Sequence, residues 1–198
     1  MKLRHLLLPC LLTISALALA ACGGGGSDSG DEEAIEAAIV RSATTADPAN
    51  CTEVETQAFV EQSSDESGAK AVKDCEEEAK DATNNAKTVK VTKIEIDGSE
   101  ATADAAVTGG GYDGQVISIA LVEEDGAWKL DQLAGFAKLD TARLAEIFGE
   151  KLEETGELTP EQTSCIVEGI EAASKAEAEE LVLSGSSQPL VELAKGCE

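Results

Sequence analysis

The hydrophobic period of this chain changes twice, and the two changes bound what it can fold into. Up to about residue 83 apolar residues recur at helical spacing. From Lys87 to Leu139 they alternate, and beyond Leu139 the helical spacing returns. This order predicts an α+β protein: N-terminal helices packed on a curved antiparallel sheet of about four strands, followed by a small helical module. Asp31 to Thr45 reads as the first helix, with early acids suited to its N-terminal dipole and Ile35, Ala38 and Ile39 on one face. Asp47-Pro48 stops it. Thr52 to Gln62 reads as the second helix, opened by a capping box at Thr52-Glu53-Val54-Glu55, with Val54, Ala58 and Phe59 apolar. Ala69 to Thr83 reads as the third, with Val72, Cys75 and Ala79 on one side.

Val89 and Val91, then Ile94 and Ile96, mark the first strand, and Asp97-Gly98 turns it. Ala101, Ala103, Ala105 and Val107 mark the return strand, with Asp104 on its other face. A glycine-rich turn at 109–114 carries Tyr112 and Asp113. Gln115 to Glu123 is the third strand; Glu124-Asp125-Gly126 turns into the fourth, begun by Trp128, Leu130 and Leu133. After the sheet, Leu144, Ile147, Phe148 and Leu152 line a helix ended by Gly156. Thr159-Pro160-Glu161-Gln162 opens another with a capping box and proline at its first position. A helix from Ser174 to Leu183, a hinge at 184–187 and a last helix from Pro189 to Lys195, capped by Gly196, complete the chain.

The N-terminus has a different character. Lys2 and Arg4 precede an apolar run from Leu6 to Ala21, and Leu19-Ala20-Ala21-Cys22 is followed by Gly23-Gly24-Gly25-Gly26. A charged start, a short apolar stretch and small residues before a cut describe an export signal. The run is short for a membrane span, contains Pro9 and ends in glycines. The Cys directly after the small pair resembles the lipobox of bacterial lipoproteins. That resemblance implies a diacylglyceryl group on the Cys22 thiol, cleavage between Ala21 and Cys22, and an anchor holding the protein at the extracytoplasmic face of a membrane in the cell envelope. Residues 1–21 are then signal peptide. Residues 22–30 are the lipidated cysteine and a Gly/Ser tether, spanning about 15 Å as a flexible coil. The remainder divides into an α+β unit, 31–139, and a helical module, 140–198.

Charge and cysteines fit export. The chain carries a net charge of −24, and removing 1–21 takes away Lys2, Arg4 and its one histidine, His5, but no acid, leaving −26. Such a charge disfavours nucleic acid and anionic lipid, so an anchor rather than the surface would hold a membrane. Of the six cysteines, Cys10 leaves with the signal and Cys22 takes the lipid. Four remain, which allow three pairings. Cys51–Cys75 and Cys165–Cys197 are expected because each pair sits inside one segment. Closing loops of 24 and 32 residues is worth roughly 3–4 kcal/mol each. With no C-x-x-C and no histidine in the mature chain, neither a metal centre nor a redox site is expected.

Helices followed by a curved sheet that closes on Glu124-Asp125-Gly126-Ala127-Trp128-Lys129-Leu130 resemble the nuclear transport factor two-like superfamily. The resemblance covers about Asp31 to Leu139 and implies a cone with an apolar cavity between sheet and helices. That superfamily contains isomerases, hydrolases, cyclases and non-catalytic binding domains, and fold does not choose among them. The residues argue against catalysis. Without histidine there is no nucleophile–histidine arrangement, Tyr112 lies in a turn, and neither Arg41 nor Arg143 lies on a strand. The expected protein is therefore a non-catalytic envelope lipoprotein without a cofactor. It would meet the bilayer through Cys22 and bind a small apolar ligand or an envelope protein, but not nucleic acid. Trp128 and Tyr112 are the pocket candidates, with Trp128 read alternatively as a core anchor. The small inward residues either leave a pocket or are covered by the helices. The alternative function is a lipid-anchored isomerase or cyclase using an aspartate in the cone, for which Asp104 is the candidate.

Overall fold

A computed structural model describes residues 28–80, 84–156, 158–184 and 186–197; the residues read as signal peptide and lipobox, and the glycines after them, lie outside these. The order is α1 (Asp28–Thr44), α2 (Asn50–Glu53), α3 (Gln57–Gln62), α4 (Ala69–Glu78), β1 (Thr88–Asp97), β2 (Glu100–Thr108), a 3-10 turn (Gly110–Tyr112), β3 (Val116–Glu124), β4 (Ala127–Lys138), α5 (Thr141–Thr155), α6 (Pro160–Ala172), α7 (Lys175–Leu183) and α8 (Gln188–Lys195). The protein is α+β: the strands form one antiparallel meander in the order β1-β2-β3-β4. α1 begins at Asp28, three residues inside the stretch read as tether.

The sheet is bent by bulges, and these explain an irregularity in its sequence. Val89 and Val91 occupy odd positions, Ile94 and Ile96 even ones, yet all four pack against the main core. The register with β2 shifts between Thr92 and Glu95, and Lys93 takes a left-handed φ of 53° there. One extra residue moves the second pair back to the inner face. β4 does the same more strongly. Its 12 residues oppose the 9 of β3, with three register shifts along the pair. Bulges on one strand increase twist and bend the ladder. The sheet thereby curls far enough for α1 to pack against both of its edge strands, β1 and β4.

β4 is an edge strand, and its outward backbone groups are met by other elements. Leu130 N–H donates to Val54 O at 2.9 Å, and Thr56 N–H donates to Leu130 O at 2.8 Å. Gln62 grips Leu133 at both ends, its Nε2 donating to the carbonyl at 2.9 Å and its Oε1 accepting the N–H at 2.7 Å. Phe136 N–H donates to Glu179 Oε1 at 2.8 Å. An exposed edge is a template for unwanted pairing, and these contacts close it. They also correct the expectation of one helix over 52–62. Residues 54–56 leave the helical path to pair with Leu130, so two short helices form. The capping box at Thr52 is not made; Thr56 caps α3 instead, its side chain accepting from Phe59 N–H at 3.1 Å.

The C-terminal helices pack in two directions. α5 and α6 form a hairpin around Leu144, Ala145, Ile166 and Ile170, with Ala178 of α7 beside them. α7 lies against β4 and places Leu183 in the main core. α6 and α7 both carry reciprocal capping boxes, Thr159 with Gln162 and Ser174 with Glu177. α8 starts at Gln188, and Gly196 is its C-cap as expected, in a right-handed conformation with a φ of −71°. Two disulfides are present. Cys51–Cys75 ties α2 to α4, and Cys165–Cys197 ties α6 to the residues after α8.

Candidate functional site

The curl of the sheet leaves a cavity of about 520 Å³ between its inner face and the helices. Ala105, Val107, Ile117, Ile119, Leu130 and Leu133 form the sheet wall. Ile39 of α1, Phe59 of α3, Ile147 and Phe148 of α5 and Val182 of α7 form the other sides. The alternation that puts these strand residues inward thus puts small side chains opposite helices too far apart to meet. Ala105 pairs with Ile117 across β2 and β3, so a small side chain lowers the floor of the cavity there. The volume falls within the range of about 300–1,000 Å³ in which small molecules are held.

Polar groups gather where the 84–86 segment, the 109–112 turn and α5 meet. Lys151 Nζ donates to Asn84 Oδ1 at 2.6 Å. Ala86 N–H donates to Ala43 O at 2.9 Å and Gly111 N–H to Asn84 O at 3.3 Å, so this segment is fixed from both sides. Gly110 makes the approach possible. A Cβ at Gly110 would sit 2.4 Å from Asn84 O and 2.8 Å from the Asn85 carbonyl carbon, and its φ is +70°. Asn85 lines the cavity, and its Nδ2 is buried with no hydrogen-bond partner. An amide donor left in that state costs roughly 1–3 kcal/mol.

The structure separates the two pocket candidates. Tyr112 lines the cavity, but its hydroxyl is engaged, donating to Val182 O at 3.2 Å, and burial pushes the phenol pKa up. Tyr112 therefore lines the cavity while its hydroxyl holds α7. Trp128 is not among the cavity's lining residues. It is 6% exposed in the main core, and its Nε1 donates to Asp31 Oδ1 at 3.3 Å, which fastens β4 to α1. Trp128 is a core anchor: it stands beside the β3–β4 turn, opposite Glu123, and packs into the main core.

No aspartate lines this cavity among the described residues. Asp104 points to the opposite face of β2, beside its cross-strand partner Ser118. Lys93 Nζ lies 2.8 Å from one of its oxygens and Ser118 Oγ donates to the other at 2.8 Å. The Lys93 contact holds the Asp104 carboxyl below its usual pKa, outweighing the opposing effect of burial. Lys93 is the bulge residue of β1, so the device that re-phases the strand also supplies Asp104 with its cation. An aspartate on the outer face cannot serve as a base in the cone. Asp113 is likewise structural: it accepts from Gly109 N–H at 2.6 Å and from Arg143 Nη2 at 2.6 Å, and those bonds lower its pKa.

One group among the described residues has the composition of a metal site. Cys51, Glu55 and Cys75 bring their ligand atoms within 4.8 Å of one another. The two sulfurs are bonded to each other, so neither is a thiolate able to ligate. Glu55 is a half-buried carboxylate there. Ser42 Oγ donates to it at 2.6 Å, yet burial prevails and pushes its pKa up. No described helix is long and apolar enough to cross a membrane.

Asn84, Asn85 and Lys151 carried no motif. Asn-Asn before a strand reads only as turn chemistry, and Lys151 as one charge on the polar side of a helix. Their meeting depends on a glycine 25 residues further along the chain, which no local pattern reveals. No curated protein and no solved structure matches this chain. A family model does match, over residues 40–145, from the C-terminal end of α1 through the whole sheet into α5. That span contains most of the cavity wall and the Asn84–Asn85 segment. Covering more than half of the sequence, the match shows that the chain belongs to the family described as low molecular weight antigen MTB12, C-terminal domain.

Proposed function

We propose that this protein is a lipid-anchored, extracytoplasmic protein of the bacterial cell envelope that holds a small apolar molecule in its cavity without transforming it. The observation that carries the reading is the cavity itself: an apolar wall from a curled sheet and four helices, with few polar groups and no aspartate among its described lining. Membership of a family described as an antigen accords with an exposed or exported protein. Two disulfides accord with an oxidising compartment. The element order accords with a cone of the nuclear transport factor two-like kind. Anchoring rests on Leu19-Ala20-Ala21-Cys22, and two or more acyl chains on Cys22 would hold stably where one would not.

Metabolic labelling of the host with a radiolabelled fatty acid tests the anchor. Wild-type protein is expected in the membrane fraction with label, and Cys22→Ser without label; label on Cys22→Ser would refute it. Binding of the fluorescent hydrocarbon diphenylhexatriene tests the cavity. One molecule per chain is expected, lost in Ala105→Phe; no binding to wild type would refute the reading.

A further inference from the structure

We propose that Cys51–Cys75 is a thiol–disulfide exchange site for a small dithiol, with Glu55 as its proton carrier. This activity does not depend on what the cavity holds. The pair spans 24 residues and has no C-x-x-C form, but the fold brings a carboxylate to it: the two sulfurs and a Glu55 oxygen lie within 4.8 Å of one another. Glu55 Oε2 approaches Cys75 Sγ to 3.7 Å. A disulfide sulfur carries no hydrogen and an ionised carboxylate has none to give, so in that state the contact joins two acceptors. It becomes a hydrogen bond when Glu55 is protonated or when Cys75 is a thiol.

The surroundings favour a proton on Glu55. Ser42 Oγ donates to its other oxygen at 2.6 Å, yet burial holds its pKa up. Cations on the neighbouring elements are engaged elsewhere, Arg41 of α1 by Asp47 and Glu53, and Lys129 of β4 by Glu124. Asp131 of β4 accepts from Thr56, and α4 adds only the acids Asp74 and Glu78. Cys75 and Glu55 line a hollow of about 560 Å³ that the exposed Ser63, Glu78 and Asn84 also border, so it opens to solvent. Cys51, by contrast, is 2% exposed. Among the described residues, no carboxylate is grouped in this way with Cys165–Cys197.

These positions assign the steps. A thiolate of the dithiol bonds to Cys75 Sγ, and the Sγ–Sγ bond breaks with its electron pair left on Cys51 Sγ. A thiolate is unfavourable at so buried a position, and Cys51 takes the proton of the Glu55 carboxyl. The dithiol's second thiolate then attacks its own sulfur bonded to Cys75, closing the dithiol's disulfide. Cys75 leaves as a thiolate, and it and Glu55 each take a proton from solvent. The dithiol is oxidised by two electrons and the cysteine pair is reduced by two.

The test uses the full chain carrying Cys10→Ser and Cys22→Ser, so that the two disulfides contain every cysteine. Dithiothreitol is added from pH 8 to pH 5, freed thiols are trapped with a maleimide, and each disulfide is followed by peptide mass spectrometry. Both disulfides meet the same thiolate concentration, which cancels in the ratio of their rates. The rate of Cys51–Cys75 relative to Cys165–Cys197 is expected to rise at least about 10-fold as pH falls, the low side of what general-acid assistance supplies, and to stay flat in Glu55→Gln. An uncharged phosphine should preserve the rise, because it removes repulsion between reductant and ionised Glu55 but not the need to protonate Cys51. A flat ratio in the parent chain, the same rise in Glu55→Gln, or a rise confined to dithiothreitol would overturn the inference. Should Glu55→Gln not fold, Ser42→Ala removes the hydrogen bond that lowers the Glu55 pKa. The rise is then expected to begin at higher pH, and an unmoved midpoint would overturn the inference.

Discussion

The sheet side of the molecule and the helical hairpin at its C-terminal end bury comparable residues and reach different ends. In the hairpin, Leu144, Ile166 and Ile170 meet around Ala145 and Ala178, each at most 1% exposed, and none of the five lines a hollow, although Ala173, Leu181 and Leu193 around them border one of about 480 Å³. On the sheet side, Ala105, Ile117 and Ile119 are nearly as buried, yet a cavity of about 520 Å³ remains beside them. Helices can slide until their side chains interlock. A sheet curled by bulges has its curvature set by backbone register, so helices resting on its rims cannot follow small residues down to the floor. Burial of single residues therefore says nothing about whether the volume between elements is filled. Covalent links follow the same division: one disulfide joins α2 to α4, the other joins α6 to the residues after α8, and no cysteine of either lies in a strand. Helical pieces of four to thirteen residues have little else to hold their ends, whereas the strands share continuous ladders.

The comparison breaks most readily at Phe136. Its side chain is 1% exposed in the sheet-side core, and its N–H is held by Glu179 of α7. Phe136→Ala is expected to cost about 3–5 kcal/mol in urea unfolding. It should do so in a single transition, because β4 and α7 share this residue. Two separated transitions would make the regions independent units.

Removing the link at the helical end comes next. Cys165→Ala with Cys197→Ala is expected to cost roughly 3–4 kcal/mol if the chain-entropy account holds. Hydrogen exchange should quicken first in α6 and α8, with β2 and β3 still protected. Uniform loss of protection would show that the helical end supports the sheet more than the packing implies.

A matched pair of substitutions sharpens the contrast directly. Ala105→Leu adds volume beside the cavity, and Ala145→Leu adds the same volume to a filled core. Overpacking costs about 1–3 kcal/mol where there is no room, so Ala145→Leu should pay it and Ala105→Leu should cost less than about 1 kcal/mol. Equal penalties in thermal unfolding would mean that the cavity closes in solution.

The smallest effects expected are electrostatic and opposite in sign. The folded-state pKa of Asp104 is depressed, so its contribution is present at neutral pH and lost as pH falls through that folded value. Asp104→Asn should be destabilising at pH 7, and its difference from wild type should shrink in acid. The folded-state pKa of Glu55 is raised by burial, so ionisation costs stability as pH rises above the ordinary glutamate range. Glu55→Gln should be stabilising at pH 7 and neutral in strong acid. Unfolding curves from pH 3 to 7 check both.

Much of the architecture was legible in the sequence because it rests on local patterns. The change from helical to alternating spacing at Lys87, the turns at Gly98 and at Asp125-Gly126, and the Thr159 capping box all appear in the structure where those residues stand. Short separations along the chain also suggested the two cysteine pairs that the structure contains. What escaped depends on distant partners. The break at 54–56 follows from backbone pairing of Val54 and Thr56 with Leu130, beside a Thr56–Asp131 side-chain bond that spans 75 residues. The odd-to-even slip in β1 was visible in Val91 and Ile94, but it acquires meaning only as a bulge that lends Lys93 to Asp104. At the site, Tyr112 was legible as a cavity residue but not the use of its hydroxyl. Trp128 drew attention by its size and stands elsewhere, and the donor at Asn85 had no sequence signal.

Native mass spectrometry of the protein released from the membranes of its own host tests the central claim most directly. The account predicts one additional mass on the order of a few hundred daltons per chain, lost on denaturation, with both disulfides intact. A bare chain of the expected mass, with both disulfides formed and no affinity for added diphenylhexatriene, would contradict it.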